Sequence, residues 1–325
     1  MPVRAVVCHE YGPPDVVRVE EVPDPRPRTD GVLVKVAAAA VNFPDVLLIA
    51  NKYQVPMPVP FTPGSEFAGV VVEVGAAVTS LEVGDRVFGA TMVGAFAEYV
   101  AAPADALRRV PDGVDLSLTA GFWVAHATAY HALRSVGEAA SGQKVVVLGA
   151  AGGVGLAAVE LAAVMGCEVI AAASSSEKLA VCRARGASHI IDYGTEDFRS
   201  SLRAIAPDGV DVVIDPVGGP LAEQALRSTR WGGRFVTVGF ASGEIPRIAL
   251  NLVLLKGVVV KGFEIRTFAD FAPEAAERDE TELMELLASG RIAPHVSARY
   301  PLAEASEALR DVAERRAIGK VLVVP

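Results

Sequence analysis

The chain has 325 residues, 51% of them hydrophobic, and its 39 acidic against 30 basic side chains give a formal net charge of −9. That length suggests two domains with a sizeable core, and the acidic balance argues against a nucleic-acid partner and for solubility. No apolar run reaches the roughly 18 residues that a membrane-spanning helix needs, and the start, Met1-Pro2-Val3-Arg4-Ala5, lacks a signal-peptide pattern. A cytoplasmic protein with no membrane partner is therefore expected. The three cysteines, Cys8, Cys167 and Cys182, fit neither a disulfide framework nor a Cys-x-x-Cys metal site, and the five histidines show no paired ligand spacing.

From Val3 to about Val110 the pattern is short strands broken by turns. Residues 3–7, 16–20, 32–36, 70–74 and 86–88 are β-rich, and Pro13-Pro14, Pro23, Pro25, Pro27 and Gly84-Asp85 punctuate them. A mostly antiparallel, barrel-like domain is predicted. A long helix is predicted over Leu118–Arg134. Strands then alternate with helices: strands at Lys144–Gly149, Glu168–Ala173, His189–Asp192, Val210–Asp215, Arg234–Gly239 and Val258–Phe263, with helices such as Glu177–Arg185 and Leu221–Ser228. That alternation predicts an α/β, doubly wound parallel sheet with its ligand crevice at the C-terminal ends of the strands. Helices over Glu280–Ser289 and Leu302–Arg316 and a strand at Val321–Val324 complete the chain. The tail is expected to return to the first domain, giving residues 1–120 with 264–325 against 121–263.

The most informative stretch is Gly149-Ala150-Ala151-Gly152-Gly153-Val154-Gly155, between the first strand of that series and a helix. Strand, tight turn and helix leave free N–H groups at a helix N-terminus, where the dipole favours an anion. Glycine admits a pyrophosphate that a side chain would block, so Gly152, Gly153 and Val154 are expected to meet a dinucleotide. Ala150 replaces the first glycine of the common G-x-G-x-x-G form. The next strand ends in Ser174-Ser175-Ser176-Glu177-Lys178, where an NAD site carries Asp or Glu for the ribose hydroxyl. Hydroxyls and an ammonium suit a phosphate instead, which favours NADPH. The serines also serve as helix caps, and both roles are compatible.

These pieces, taken in order, resemble a medium-chain dehydrogenase/reductase, and more narrowly the zinc-free NADPH:quinone oxidoreductase family. The resemblance rests on residues 41–45 (Val-Asn-Phe-Pro-Asp), 63–69 (Pro-Gly-Ser-Glu-Phe-Ala-Gly), 83–87, 94–99, Thr128-Ala129-Tyr130, Ala150–Gly155, 215–219 (Asp-Pro-Val-Gly-Gly) and 319–322 (Gly-Lys-Val-Leu). It implies a Rossmann sheet plus a GroES-like catalytic domain, a homodimer that pairs through Val258-Val259-Val260, and hydride transfer to a quinone or enone. Zinc-dependent relatives have Cys where this chain has Asn42 and Gly-His-Glu where it has Gly64-Ser65-Glu66. Both replacements are poor zinc ligands, so no metal is expected.

The same resemblance implies site residues. Asn42, Tyr53 and Thr128 would act near the nicotinamide and acceptor, Asn42 and Thr128 also contacting the cofactor. Asn42 otherwise reads as a turn residue, Tyr53 as a loop aromatic, and Thr128 as a helix residue bonded back to its own turn. Ser174, Lys178 and Tyr193 match positions around the adenosine 2′-phosphate, and Arg315 matches a basic position that otherwise reads as a surface helix charge. Val217, Gly239 and Phe240 would line the nicotinamide side. His126 and Glu66 read as structural. Leu47 departs from a family tyrosine, which removes a donor. An enoyl reductase acting on an acyl thioester, and an NADPH-binding protein without turnover, remain as alternatives.

Overall fold

The computed structural model describes residues 2–325. They form two compact units: residues up to Val124 with Ala293–Pro325, and Ala125–Ile292.

The first unit opens with β1 (Val3–Cys8) and β2 (Val17–Val22), an antiparallel pair. Around them lie β3 (Gly31–Val41), α1 (Phe43–Ile49), β4 (Glu66–Val74), β5 (Arg86–Ala90), β6 (Tyr99–Pro103), β7 (Leu107–Arg109) and α2 (Leu116–Thr119). The tail adds β14 (Val296–Pro301), α11 (Ala305–Ala313) and β15 (Lys320–Val324). The large sheet runs β14-β15-β3-β4-β5-β7, with β6 also on β3, and only β14 and β15 pair in parallel. Val6, Val34, Phe67, Val71 and Phe96 form its core with Leu309 of α11. Alternate residues of β3 and β4 face inward because a strand repeats every second residue.

The second unit carries β8 (Lys144–Leu148), β9 (Glu168–Ala173), β10 (His189–Asp192), β11 (Val210–Asp215), β12 (Thr229–Thr237) and β13 (Val259–Gly262). All pair in parallel in the order β10-β9-β8-β11-β12-β13. This is a doubly wound sheet whose direction of winding reverses between β8 and β11, the place where such folds bind ligands. Strands buried on both faces read as continuous apolar runs, and Val145–Leu148 and Val212–Ile214 are fully buried. The helices are α3 (Trp123–His131, its first two residues counted with the first unit), α4 (Gly153–Val164), α5 (Ser176–Ala184), α6 (Phe198–Ile205), α7 (Gly219–Arg227), α8 (Leu250–Lys256), α9 (Ile265–Phe271) and α10 (Pro273–Ala288).

Several expectations need correction. The helix over Leu118–Arg134 is two helices followed by a π-helical turn at Ala132–Val136. It breaks at Gly121, where an added Cβ would lie 3.2 Å from Cβ and Cγ of Lys320. The helix over Leu302–Arg316 is a 3₁₀ turn plus α11, and it ends before Arg315, which adopts a left-handed φ of 60°. Residues 264–292, assigned to the first domain, cluster with the second. Polar bonds hold them there: His131 Nδ1 lies 3.0 Å from Asp279 Oδ2, and the Tyr130 hydroxyl donates to Glu282 at 2.7 Å.

Candidate active site

In the second unit the glycine turn joins β8 to α4. Gly149 has a left-handed φ of 56°, and a Cβ on Gly155 would sit 2.2 Å from the Gly149 carbonyl oxygen. Gly155 thus lets the helix approach the strand, while Gly152 is exposed and Gly153 and Val154 are half-buried at the start of α4. The Gly152 N–H closes the turn by donating to the Gly149 carbonyl at 3.0 Å, and the N–H groups of Gly153 and Val154 in the first turn of α4 form a cradle that fits a pyrophosphate.

Beside that turn, a Cβ on Gly149 would meet Val217 at 2.6 Å. Val217 follows β11, where buried Asp215 accepts the N–H groups of Val217 and Gly218 at 2.9 and 2.8 Å. Burial raises the Asp215 carboxyl above its ordinary range, and those two N–H groups work against the rise. The Asp215 carbonyl accepts from Gly239, and a Cβ on Gly218 would meet Phe240 at 2.9 Å. Val217, Gly239 and Phe240 are therefore brought together at the strand ends beside the glycine turn.

At the tip of β9, Lys178 Nζ donates to Ser174 Oγ at 3.3 Å, and Ser175 Oγ caps α5 by accepting the Lys178 N–H at 3.4 Å. The Tyr193 N–H donates to the Ala173 carbonyl at 3.1 Å. Ser174, Lys178 and Tyr193 thus form one group, and the serine run both caps a helix and presents a hydroxyl to an ammonium. Arg315 belongs to the first unit. Thr128 is nearly buried on α3, and its hydroxyl has no hydrogen-bond partner among the described residues, so it is not tied to its own helix. Buried His126 on the same helix lies 3.5 Å from Glu160 Oε2, in agreement with a structural role.

In the first unit, register creates a cluster that the sequence does not show. Val41 pairs with Val321, and Ala40 pairs with Glu66. The ends of β15, β3 and β4 therefore carry Lys320, Asn42 and Glu66 in one row. Lys320 Nζ donates to Asn42 Oδ1 at 2.6 Å and to Glu66 Oε2 at 3.0 Å. Asn42 Nδ2 donates to Glu66 Oε2 at 3.0 Å, and the Val124 N–H donates to Glu66 Oε1 at 2.8 Å. All three side chains are buried. Asp45, fully buried on α1, accepts the Asn42 N–H at 2.7 Å. Burial pushes its carboxyl up to about 7, against the opposing pull of that N–H. Tyr53 packs its ring on the first unit's core.

Among the described residues, no group of three or more His, Cys, Asp and Glu side chains is placed to hold a metal ion. The residues at Asn42 and Glu66 do not fit a catalytic zinc, because the amide oxygen and the carboxylate are already bound to an ammonium. Sequence reasoning missed Lys320. Its signal was a single charge opening the otherwise apolar run Val321–Val324.

Residues 28–112 match the alcohol dehydrogenase GroES-like domain, and residues 153–280 match the zinc-binding dehydrogenase domain. A quinone oxidoreductase-like protein 2 homolog of Nematostella vectensis is 36% identical, over 98% of this chain and 88% of its own length. The chain belongs to the quinone oxidoreductase-type family of the medium-chain dehydrogenase/reductase superfamily. Two solved structures extend the likeness. A mycobacterial protein complexed with NADPH is 34% identical with a TM-score of 0.92, covering 99% of this chain and 100% of its own. Escherichia coli quinone oxidoreductase complexed with NADPH is 28% identical, also with a TM-score of 0.92 and with the same coverage. The fold and family together make this chain an NAD(P)-dependent oxidoreductase.

Proposed function

We propose that the chain is a cytoplasmic, zinc-independent, NADPH-dependent reductase of quinones or other conjugated carbonyls. The observation that carries the reading is the chain Lys320–Asn42–Glu66. Asn42 and Ser65 stand where zinc-dependent relatives have Cys and the His of Gly-His-Glu, and the Lys320 ammonium binds the oxygens of Asn42 and Glu66. Without a Lewis acid an alcohol is a poor substrate, whereas an acceptor already activated by conjugation needs only orientation and hydrogen-bond donors.

When bound, NADPH supplies hydride to the electron-poor carbon of the acceptor. Gly153 and Val154 would hold the pyrophosphate through their N–H groups, and Gly152, with no side chain, would let it approach the turn. Ser174 and Lys178 would bind the 2′-phosphate, and Tyr193 would flank the adenine. Val217, Gly239 and Phe240 keep water from the nicotinamide side. Asn42 and Tyr53 donate hydrogen bonds where negative charge develops on the acceptor oxygen, and Thr128 orients the cofactor through its free hydroxyl. The protein acts as a homodimer. Support comes from β13, the edge of its sheet, where Val259 and Val260 are exposed, and from α8, just before it in the chain, which exposes Leu250, Leu254 and Leu255.

The test is NADPH oxidation, with NADH in parallel, against benzoquinone, phenanthrenequinone, a simple enone and crotonyl-CoA. Quinone turnover with NADPH preference supports the reading. Turnover on the enone or thioester alone makes the chain an alkene reductase, and NADPH binding without turnover makes it a non-enzymatic binder.

A further inference from the structure

Asn42 sits between two groups of opposite and fixed polarity. The Lys320 ammonium can only donate, and the Glu66 carboxylate can only accept. Their distances to the amide, 2.6 Å at Oδ1 and 3.0 Å at Nδ2, admit one orientation of the amide. A flipped amide would set N–H against ammonium and C=O against carboxylate. One N–H of Nδ2 goes to Glu66, and the second has no protein acceptor among the described residues. Asn42 keeps 8% exposure, while Glu66 has none and Lys320 has 3%.

Such a pair is weak evidence for stability, because burying two charges costs about as much as their attraction returns. The lysine is also accommodated at a cost in local structure. Its stem lies against Gly121, where a Cβ would approach Cε to 3.3 Å, and the helix breaks there. Lys320 and Glu66 are 254 positions apart and meet only through the register of β15, β3 and β4.

We propose that Lys320 is a positioning residue for the reductase reaction, locking the Asn42 amide so that its second N–H points to the acceptor. The proposal rests on the reading of Asn42 as a donor to the acceptor. Removing the ammonium takes away the donor to Oδ1 and leaves the amide held at Nδ2 alone. An amide held at one end can swing about that single hydrogen bond, so its second N–H is no longer fixed on the acceptor.

A double-mutant cycle tests this with Lys320→Met, Asn42→Ala and the pair. If Lys320→Met does not fold, Lys320→Met/Glu66→Gln, which removes both charges, takes its place. Lys320→Met is expected to lower kcat roughly ten-fold or more for the quinone, on the scale of a lost transition-state donor, with NADPH affinity within about three-fold. In the Asn42→Ala background it should cost nothing further. Additive losses, or an unchanged kcat, would overturn the proposal.

A second readout is independent of turnover. The chain has three asparagines, Asn42, Asn51 and Asn251. Only Asn42 is buried. Selective ¹⁵N-asparagine labelling should show one side-chain amide that exchanges slowly with solvent, and Lys320→Met should raise its exchange rate by about ten-fold or more. An unchanged rate sinks the positioning role. If the wild type reduces no acceptor but this amide responds as expected, the functional reading fails and the lock itself stands.

Discussion

Asp45 offers a stability experiment with a determined sign. The residue is fully buried, and its carboxyl is raised from an ordinary 3.8 to about 7, chiefly by burial. Between those values the folded chain holds a proton that the unfolded chain has released. Stability from this group is therefore complete below about pH 4 and is lost as pH rises to 7. At about 1.4 kcal/mol per pH unit, the rise from 3.8 to about 7 corresponds to at most about 4 kcal/mol. Asp45→Asn removes the titration and keeps an oxygen to accept the Asn42 N–H. Its buried amide carries its own cost of about 1–3 kcal/mol if unpaired, so the slope, not the absolute stability, is diagnostic. Urea unfolding from pH 4 to 8, followed by Trp123 in a Trp231→Phe background, reads the first unit. Trp231 is 78% exposed, so that background is mild. The variant should gain on its parent by about 2–4 kcal/mol across this range. Parallel curves would refute the buried, protonated carboxyl.

Four further outcomes follow from the sites. Lys178→Glu should weaken NADPH by roughly 10-fold to 150-fold, the range for a charged hydrogen bond, and leave NADH nearly unchanged in equilibrium titrations. Equal losses would remove its phosphate role. Tyr53→Phe should lower quinone turnover by roughly ten-fold or more while NADPH affinity holds, as for a donor used in the transition state, and unchanged turnover would take Tyr53 out of the chemistry. Metal analysis of purified protein should give no stoichiometric zinc, and one tightly held zinc per chain would overturn the metal-free reading. Val260→Lys should shift the dimer towards monomer by light scattering, because Val260 is 43% exposed on the edge strand. A wild type that is already monomeric would end the edge-pairing reading.

What the sequence reveals is what short-range chemistry dictates. The turn at Gly149–Gly155 is legible because strand, clustered glycines and helix lie within one window, and the structure needs each: Gly149 for its φ of 56°, Gly155 for helix-to-strand approach. Strands β9 and β11 have the predicted limits because both faces are covered and the apolar run ends with the strand, and the edge strand β10 has them as a short run bounded by His189 and Asp192. Errors arise where a distant residue decides. The helix break at Gly121 depends on Lys320, some two hundred positions on, and the placing of residues 264–292 depends on the bonds of Asp279 and Glu282 to α3 and its π-helical turn.

Asn42 shows why the site is half legible. Its sequence supports both a turn residue and a donor, and the structure makes it serve both roles through different atoms. The backbone N–H starts α1 by donating to Asp45, a local contact three positions away. The amide meets Lys320 and Glu66, a contact that only strand register supplies. Local sequence could show that this position is special but could not show which way the amide faces. That direction matters for chemistry, since the same side chain turned over would present an acceptor, not a donor, to a developing oxyanion. In this chain the reactive end of Asn42 is thus set by a residue near the C-terminus, and the two charges that set it are kept at little net gain in stability.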